Sequence, residues 1–237
     1  MLFGRPKARD AQDRAAARHD AALPDATGAA ALDLAALIAS RICHDLISPV
    51  GAIGNGVELI EQFGSTGKQE MSLIGDSART ASGMLQFFRL AFASGPPEAP
   101  HRMDALRRIV ELRYGGDRAA LFWRVAPGAQ TTRLGARLVC FGVMGAAAAL
   151  PRGGKIEIEL GEDAVLRVTA TGPMLRLEPN APIWLAGGAG DAPPAPRDVQ
   201  WPAAYDAART GGAALALTQD DAALSFAAAL PAPARKA

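Results

Sequence analysis

The first half of the chain carries two long helical patterns. Between Ala29 and Gln62, apolar residues recur every three or four positions and so fall in one stripe of a helix. A turn signal over 63–67 precedes a second pattern, from Lys68 to Ala93, with heptad spacing. Two long helices joined by a short loop predict an antiparallel hairpin. The stripes comprise Ile38, Ile42, Leu46, Val50, Ile53, Val57 and Ile60 in the first helix, and Met71, Ile74, Ala78, Ala81, Leu85, Phe88 and Phe92 in the second.

The second half alternates between helical and strand periods. Prolines end the second helix and predict a linker over 96–101. The region 172–198 is rich in proline and glycine and is predicted to be irregular. The remaining segments predict an α+β domain over 102–232, with one mostly antiparallel sheet and helices on one face. Helices are predicted at 102–114, 132–150 and 199–210, and strands at 121–126, 155–160, 164–171, 213–218 and 222–230.

These patterns predict the domain organisation and an oligomeric state. The predicted fold is a helical hairpin over 29–95 followed by a two-layer α+β sandwich. One hairpin cannot cover both of its apolar seams, so two hairpins are expected to pair into a four-helix bundle as a homodimer. Residues 1–28 are rich in Ala, Arg and Asp, which is typical of a disordered tail.

Composition excludes several function classes. The 237 residues include 25 basic and 24 acidic side chains, which gives no basic excess for a nucleic-acid partner. Two cysteines exclude a disulfide framework, and three scattered histidines leave little for a metal cluster. The N-terminal residues lack the apolar stretch of a secretory signal, and the longest apolar run, over 139–150, is too short to cross a membrane. We expect a cytoplasmic protein with no membrane or nucleic-acid partner.

The candidate chemistry lies on the first predicted helix, at His44. At about 100° per residue, His44 falls nearly opposite the apolar stripe and is predicted to face solvent. An imidazole can accept a phosphoryl group on one ring nitrogen while the other is held by a hydrogen bond, and Asp45 is a plausible partner for that bond. Pro49 removes a backbone hydrogen bond, and Cys43 is expected to pack inside. Taken alone, however, an exposed histidine on a helix is most often an ordinary surface residue.

A resemblance to known proteins raises the importance of this histidine. The string His44-Asp45-Leu46-x-Ser48-Pro49 resembles the phosphoacceptor box of sensor histidine kinases. The longer stretch SRICHDLISPVGAIGNG, residues 40–56, is similar to histidine phosphotransferases of alphaproteobacteria, and the likeness extends over about 29–232. It implies that His44 is the phosphoacceptor and that Asp45 orients it or acts as its acid–base partner. The residues implied to support this site or to dock a receiver domain are Arg41, Ser48, Pro49, Gly51 and Asn55.

The second domain resembles the ATP-binding domain of histidine kinases with its nucleotide motifs eroded. The stretch 138–154, which matches the kinase Asn box, contains no asparagine to hold a magnesium ion. Ala170 stands where kinases have the adenine-reading aspartate, and Met174 stands where they have a glycine. The resemblance therefore implies a retained fold with a lost nucleotide site and no cofactor of its own. The role that the resemblance implies for this domain is a docking surface or a structural brace. Trp184 and Trp201 could help a partner dock if they are exposed, but aromatic residues in such folds are more often in the core.

The resemblance implies a phosphorelay function and leaves two alternatives open. The favoured function is a histidine phosphotransferase that shuttles a phosphoryl group through His44 between aspartates of receiver domains, which supply the magnesium ion. The expected donor is the receiver of a hybrid histidine kinase. The expected acceptors are response regulators, namely a cell-cycle transcription regulator and a small single-domain receiver. The alternatives are a histidine kinase with a divergent ATP site, and a dimeric scaffold without turnover.

Overall fold

A computed structural model describes residues 26–63, 67–116, 118–161 and 163–231, with only the backbone for 26–33 and 63. Helix α1, Ala26–Phe63, and helix α2, Lys68–Phe92, form the predicted hairpin. The predicted tail lies outside the described residues except at its end, where α1 begins at Ala26 rather than at 29. Most of the predicted turn over 63–67 also lies outside them.

The two hairpin helices approach closely where small residues allow it. A Cβ atom at Gly56 of α1 would lie 2.6 Å from Cγ1 of Ile74 on α2, so only glycine fits there without a shift. Pro49 lies inside α1 and is buried. The helices therefore pack along the side of α1 that carries these two positions.

The predicted apolar seams are only partly covered within one chain. Val50 and Val57 of the α1 stripe, and Met71 and Leu85 of the α2 seam, are exposed. The predicted α2 seam is wrong toward its C-terminal end, because the buried residues there are Gly83, Phe87 and Ala91 as well as Phe88. The cause is tertiary: this half of α2 packs against the helices of the second domain as well as against α1.

The second domain is the predicted α+β sandwich. Its elements in chain order are β1 Pro100–Arg102, α3 Met103–Tyr114, β2 Ala119–Arg124, β3 Gln130–Thr132, α4 Arg133–Ala148, β4 Gly154–Leu160, β5 Val165–Thr171, α5 Ala181–Leu185, a 3₁₀ turn Pro196–Asp198, α6 Gln200–Gly211, β6 Ala214–Gln219 and β7 Ala223–Ala229. The five-stranded sheet has the order β2-β4-β5-β7-β6, with β2 parallel to β4 and the other pairs antiparallel. A two-stranded β1–β3 ribbon and the short helix α5 were not predicted, because elements of three to five residues carry no readable periodicity.

One cluster of buried apolar residues spans the sandwich and reaches into the hairpin. On the sheet, Ile156, Ile158 and Val168 alternate with exposed or half-buried residues and face α4, which is apolar along almost its whole length. Trp184 and Trp201 belong to this core and are not at the surface. The cluster continues through α3 to the aromatic residues of α2. The second domain therefore packs directly against the hairpin that carries His44.

One helical segment among the described residues, Leu34–Gln62 of α1, is long and apolar enough to cross a membrane by length and composition alone. It is the amphipathic helix of the hairpin, and it carries Arg41, His44 and Asp45 within its length.

Candidate functional site

His44 projects from α1 into solvent. Its side chain is 83% exposed, which confirms the orientation predicted from the helical period. We call the exposed surface formed by Ser40, His44, Ser48, Gly51 and Asn55 the His44 face. Nothing lies within 4 Å of a Cβ atom built at Gly51, so this part of the face is open to an approaching protein.

Asp45 has a different environment from its exposed neighbour. Its side chain is only 10% exposed, because it points toward the second domain. Oδ1 lies 3.2 Å from Nδ1 of His44. Oδ2 accepts a hydrogen bond from Nε of Arg41 at 2.9 Å and is 3.5 Å from Nη2 of Arg113 on α3. One carboxylate thus meets the imidazole with one oxygen and two guanidinium groups with the other.

These neighbouring groups determine the charge of Asp45 and the tautomer of His44. Burial alone would raise the pKa of the Asp45 carboxyl, but the charge of Arg41, the hydrogen bonds from His44 and Arg41, and the charge of Arg113 together lower it. Asp45 is therefore ionised at neutral pH and can only accept hydrogen bonds. It follows that Nδ1 of neutral His44 carries the proton and that the Nε2 lone pair is free.

Arg41 fastens the second domain to this part of α1. Its Nη1 donates a hydrogen bond of 2.8 Å to the carbonyl oxygen of Arg197, in the 3₁₀ turn before α6. Its side chain is 15% exposed, so Arg41 supports Asp45 from within the fold rather than adding to the His44 face.

Sequence reasoning missed Arg113 and Arg197 as neighbours of this site. Both lie far from α1 along the chain, and no motif marks either of them. Only the docking of the second domain on the hairpin brings them to Asp45 and Arg41.

The other predicted residues divide between the surface and the interior. Ser48, Gly51 and Asn55 are exposed on the His44 face, whereas Pro49 is buried against the rest of the fold. The expectation that Cys43 packs inside is wrong, since Cys43 is exposed. The reason is that Cys43 lies one heptad before Val50, on a side of α1 that has no cover within one chain.

A cavity of about 400 Å³ lies at the C-terminal end of α4, and residues of the stretch 138–154 form part of its lining. Gly145 and Trp201 form one wall, and Arg176, Glu178 and Asp198 bring charge to it. Burial raises the pKa of Asp198, although the ion pair with Arg197 at 3.4 Å opposes the shift. No group of three or more His, Cys, Asp or Glu side chains among the described residues is placed to hold a metal ion.

Comparison with known proteins identifies the family of this chain. Residues 103–223 match the family model of the histidine phosphotransferase C-terminal domain. The protein phosphotransferase ChpT of Brucella abortus (strain 2308) is 38% identical over 175 residues, which cover 71% of this chain and 80% of that protein. The 1.7 Å structure of a bacterial phosphotransferase superposes with a TM-score of 0.72 at 31% identity, covering 84% of this chain and 96% of that one. These relatives bear out the predicted phosphotransferase of a phosphorelay and do not support the divergent kinase. The chain therefore belongs to the ChpT-type histidine phosphotransferases.

Proposed function

We propose that His44 is the phosphoacceptor through which this phosphotransferase moves a phosphoryl group between aspartates of receiver domains. The observation that carries the proposal is the contrast between two adjacent residues. The His44 imidazole is exposed, whereas the Asp45 carboxylate that holds its Nδ1 has a side chain only 10% exposed and is ionised. A nucleophile is thereby presented to a partner protein with its reactive nitrogen outward.

The chemistry follows from this geometry. The Nε2 lone pair attacks the phosphorus of an aspartyl phosphate on the donor receiver, the acyl phosphate O–P bond breaks, and the donor aspartate leaves as a carboxylate. The N–P bond makes the ring cationic while Nδ1 keeps its proton, and the Asp45 anion stabilises that cation. The reverse sequence on a second receiver returns neutral His44. The transition state is loose and in-line, so placement and electrostatics dominate and the chain needs little further chemistry.

The second domain is proposed to act without a nucleotide. The α4 helix that aligns with the kinase Asn box presents glycine, alanine and apolar side chains, and almost all of them are buried. The magnesium ion would come from the acidic pocket of the receiver partner. The domain supports the site mechanically, through the contacts of Arg113 and of the Arg197 carbonyl with the residues around His44.

A homodimer is part of the proposal. Val50 and Val57 of α1 and Met71 and Leu85 of α2 remain exposed in the single chain. Such apolar rows on a helical hairpin are covered when two hairpins pair into a four-helix bundle. His44 is offset from these residues around α1 by roughly a third of a turn or more, so pairing leaves the imidazole accessible.

The proposed partners are the receiver of a hybrid histidine kinase as donor and receivers of response regulators as acceptors, and the proposed location is the cytoplasm. Helix α1 is long enough to span a membrane but carries Arg41 and Asp45 in its middle. A charged residue at the centre of a spanning helix costs about 2.5–3.5 kcal/mol. We therefore propose that its apolar residues serve the bundle.

The test is a phosphotransfer assay on the full chain. The protein is incubated with radiolabelled ATP alone, and separately with a purified receiver domain phosphorylated on its aspartate. Label that enters the chain only from the phosphorylated receiver, and that is lost in His44→Ala, is the expected result. Label acquired from ATP alone would overturn the proposal in favour of a kinase, and labelled His44→Ala protein would place the phosphoacceptor elsewhere.

A further inference from the structure

Arg113 reaches from the second domain to the carboxylate beside His44. It lies near the C-terminal end of α3, with Nη2 3.5 Å from Oδ2 of Asp45, and its side chain is 14% exposed. We propose that Arg113 is a positioning residue for phosphotransfer, which holds the Asp45 carboxylate and through it the His44 ring with Nε2 free to attack. This inference rests on the proposed function of His44.

The Arg113 guanidinium is itself fixed by aromatic packing. Its Cζ atom lies 4.5 Å from the centroid of the Tyr114 ring. That ring meets Phe87 of α2 edge to face, with centroids 5.4 Å apart, and both rings are buried. A cation held over a buried aromatic face loses little further freedom when it pairs with a carboxylate. Arg113 thus enters the site already oriented.

Close packing of α2 on α3 brings Arg113 within reach of Asp45. A Cβ atom at Gly83 of α2 would lie 2.9 Å from the carbonyl oxygen of Leu112, next to Arg113. Any side chain at position 83 would therefore push the end of α3 away from the hairpin. The short distance between Arg113 and Asp45 depends on this glycine.

The two oxygens of Asp45 have separate partners. Arg41 and Arg113 both face Oδ2, at 2.9 and 3.5 Å, while Oδ1 is left to Nδ1 of His44 at 3.2 Å. Arg41 comes from the same helix and restrains the carboxylate along α1, whereas Arg113 approaches from the second domain and restrains it from the side. With both guanidinium groups in place, the Asp45 carboxylate is held in one orientation. It remains an anion and accepts a hydrogen bond from Nδ1–H of His44.

A purely structural role for Arg113, as a pin between the domains, predicts a different outcome from a positioning role. Loss of a pin would loosen the second domain and leave the tautomer of His44 as it was. Loss of a positioning residue changes the proton distribution on the ring, because the freed carboxylate no longer holds Nδ1. The tautomer of His44 in the unphosphorylated protein is therefore the deciding readout, together with the transfer rate.

The experiment compares Arg113→Met, Arg113→Lys and wild type as full-length proteins. Long-range ¹H–¹⁵N NMR on histidine-labelled protein at alkaline pH reports the His44 tautomer, with its signals assigned by their loss in His44→Ala. Transfer from a phosphorylated receiver is timed in parallel, and receiver affinity is measured by calorimetry. Arg107→Met is the matched control, because Arg107 lies on the same helix but pairs with Glu111 at the surface.

Wild type is expected to show the Nδ1–H form. Arg113→Met is expected to shift toward the Nε2–H form and to transfer about 10-fold more slowly or worse at unchanged receiver affinity. Arg113→Lys is expected to fall between them, and Arg107→Met to match wild type. An unchanged tautomer in Arg113→Met, at any transfer rate, would overturn the inference. If Arg113→Met does not fold, the His44 tautomer is compared with wild type in Arg113→Lys and Gly83→Ala instead. A wild-type tautomer in both of these variants would overturn the inference.

Failure of the proposed function is distinguishable from failure of this inference. A wild-type chain that takes no phosphoryl group from any receiver would contradict the role of His44. The tautomer measurement needs no phosphate, so it still decides whether Arg113 orients the ring.

Discussion

Gly145 of α4 lies directly against the indole ring of Trp201 at the start of α6. A Cβ atom at Gly145 would lie 2.6 Å from Cζ2 of that ring, well inside van der Waals contact. Trp201 is almost completely buried, with 2% of its surface exposed. The large ring thus occupies the space beside α4, at the wall of the cavity at the C-terminal end of that helix.

Gly145→Ala is expected to destabilise the protein despite the better helix propensity of alanine. Alanine gains up to about 1 kcal/mol inside a helix, whereas overpacking a buried contact costs about 1–3 kcal/mol. We expect a net loss of free energy of unfolding, measured by chemical denaturation. Ala148→Ser, at an exposed position of the same helix, is the control and should stay within about 0.5 kcal/mol of wild type.

The indole can be tested as the cause of that loss. In the double variant Gly145→Ala with Trp201→Phe, the smaller ring relieves the overlap. The double variant should therefore lose less free energy of unfolding than the sum of the losses in the two single variants. Strict additivity would show that the cost of Gly145→Ala arises elsewhere.

Val50→Glu is expected to convert the proposed dimer into monomers. Val50 is 56% exposed in the single chain, and a carboxylate there would have to be buried without a partner in a paired bundle. Sedimentation velocity should show a dimer for wild type and a monomer for the variant at the same concentration. Arg79→Glu is the control, a charge change at an exposed position of α2 whose side chain pairs with Asp76.

The thiols provide a second readout of the dimer. Cys43 is exposed and lies one heptad before Val50, while Cys140 is fully buried and burial raises the pKa of its thiol far above the usual range. A thiol reagent should therefore modify Cys43 alone in the native protein, and more slowly in wild type than in Val50→Glu. Equal rates, with wild type monomeric at micromolar concentration, would contradict the paired bundle.

The sequence was informative where a property is decided locally. The exposure of His44 follows from its angle on a helix whose apolar stripe is regular. In the structure the side chain is exposed, as the helical period predicts. The antiparallel pairs β4–β5 and β6–β7 were likewise readable, because each hairpin alternates and turns within a few residues. In these cases the signal and the structure share one short stretch of chain.

Properties decided by distant parts of the chain were not readable. Arg113 meets Asp45 only after α3 has docked on α2, and nothing in its own helix distinguishes it from Arg107 or Arg108. The burial of Cys43 was predicted wrongly for a related reason. An apolar residue on a helix indicates that its burial is favourable, but it does not indicate whether the same chain or a second chain buries it. Tertiary contact therefore fixed the details of the site that periodicity could not.

Acidification below neutral pH is expected to destabilise the fold in part through His101. Burial, with the nearby charge of Arg133, lowers the pKa of His101 below its usual value. The unfolded chain therefore binds a proton at a higher pH than the folded chain, so stability falls as the pH drops below about 6.5. His101→Gln should show a weaker loss of melting temperature than wild type between pH 7.5 and 5.5. Identical pH dependence in the two proteins would assign the acid sensitivity to other groups.

Asp45→Asn is expected to slow phosphotransfer strongly while the chain stays folded. The amide keeps the shape of the carboxylate but can donate through its NH₂ group, and it has no charge to stabilise the cationic phosphorylated ring. It also leaves Arg41 and Arg113 facing a neutral group, so some loss of stability accompanies the change. Removing one preorganised group that stabilises charge developing in the transition state typically costs about 10²–10³-fold, and we expect a loss in the lower part of that range. The initial rate of label transfer from a phosphorylated receiver measures it, with Asp76→Asn, at an exposed ion pair on α2, as the control. A wild-type rate in Asp45→Asn would mean that the His44 ring needs neither the charge nor the acceptor that its buried neighbour provides.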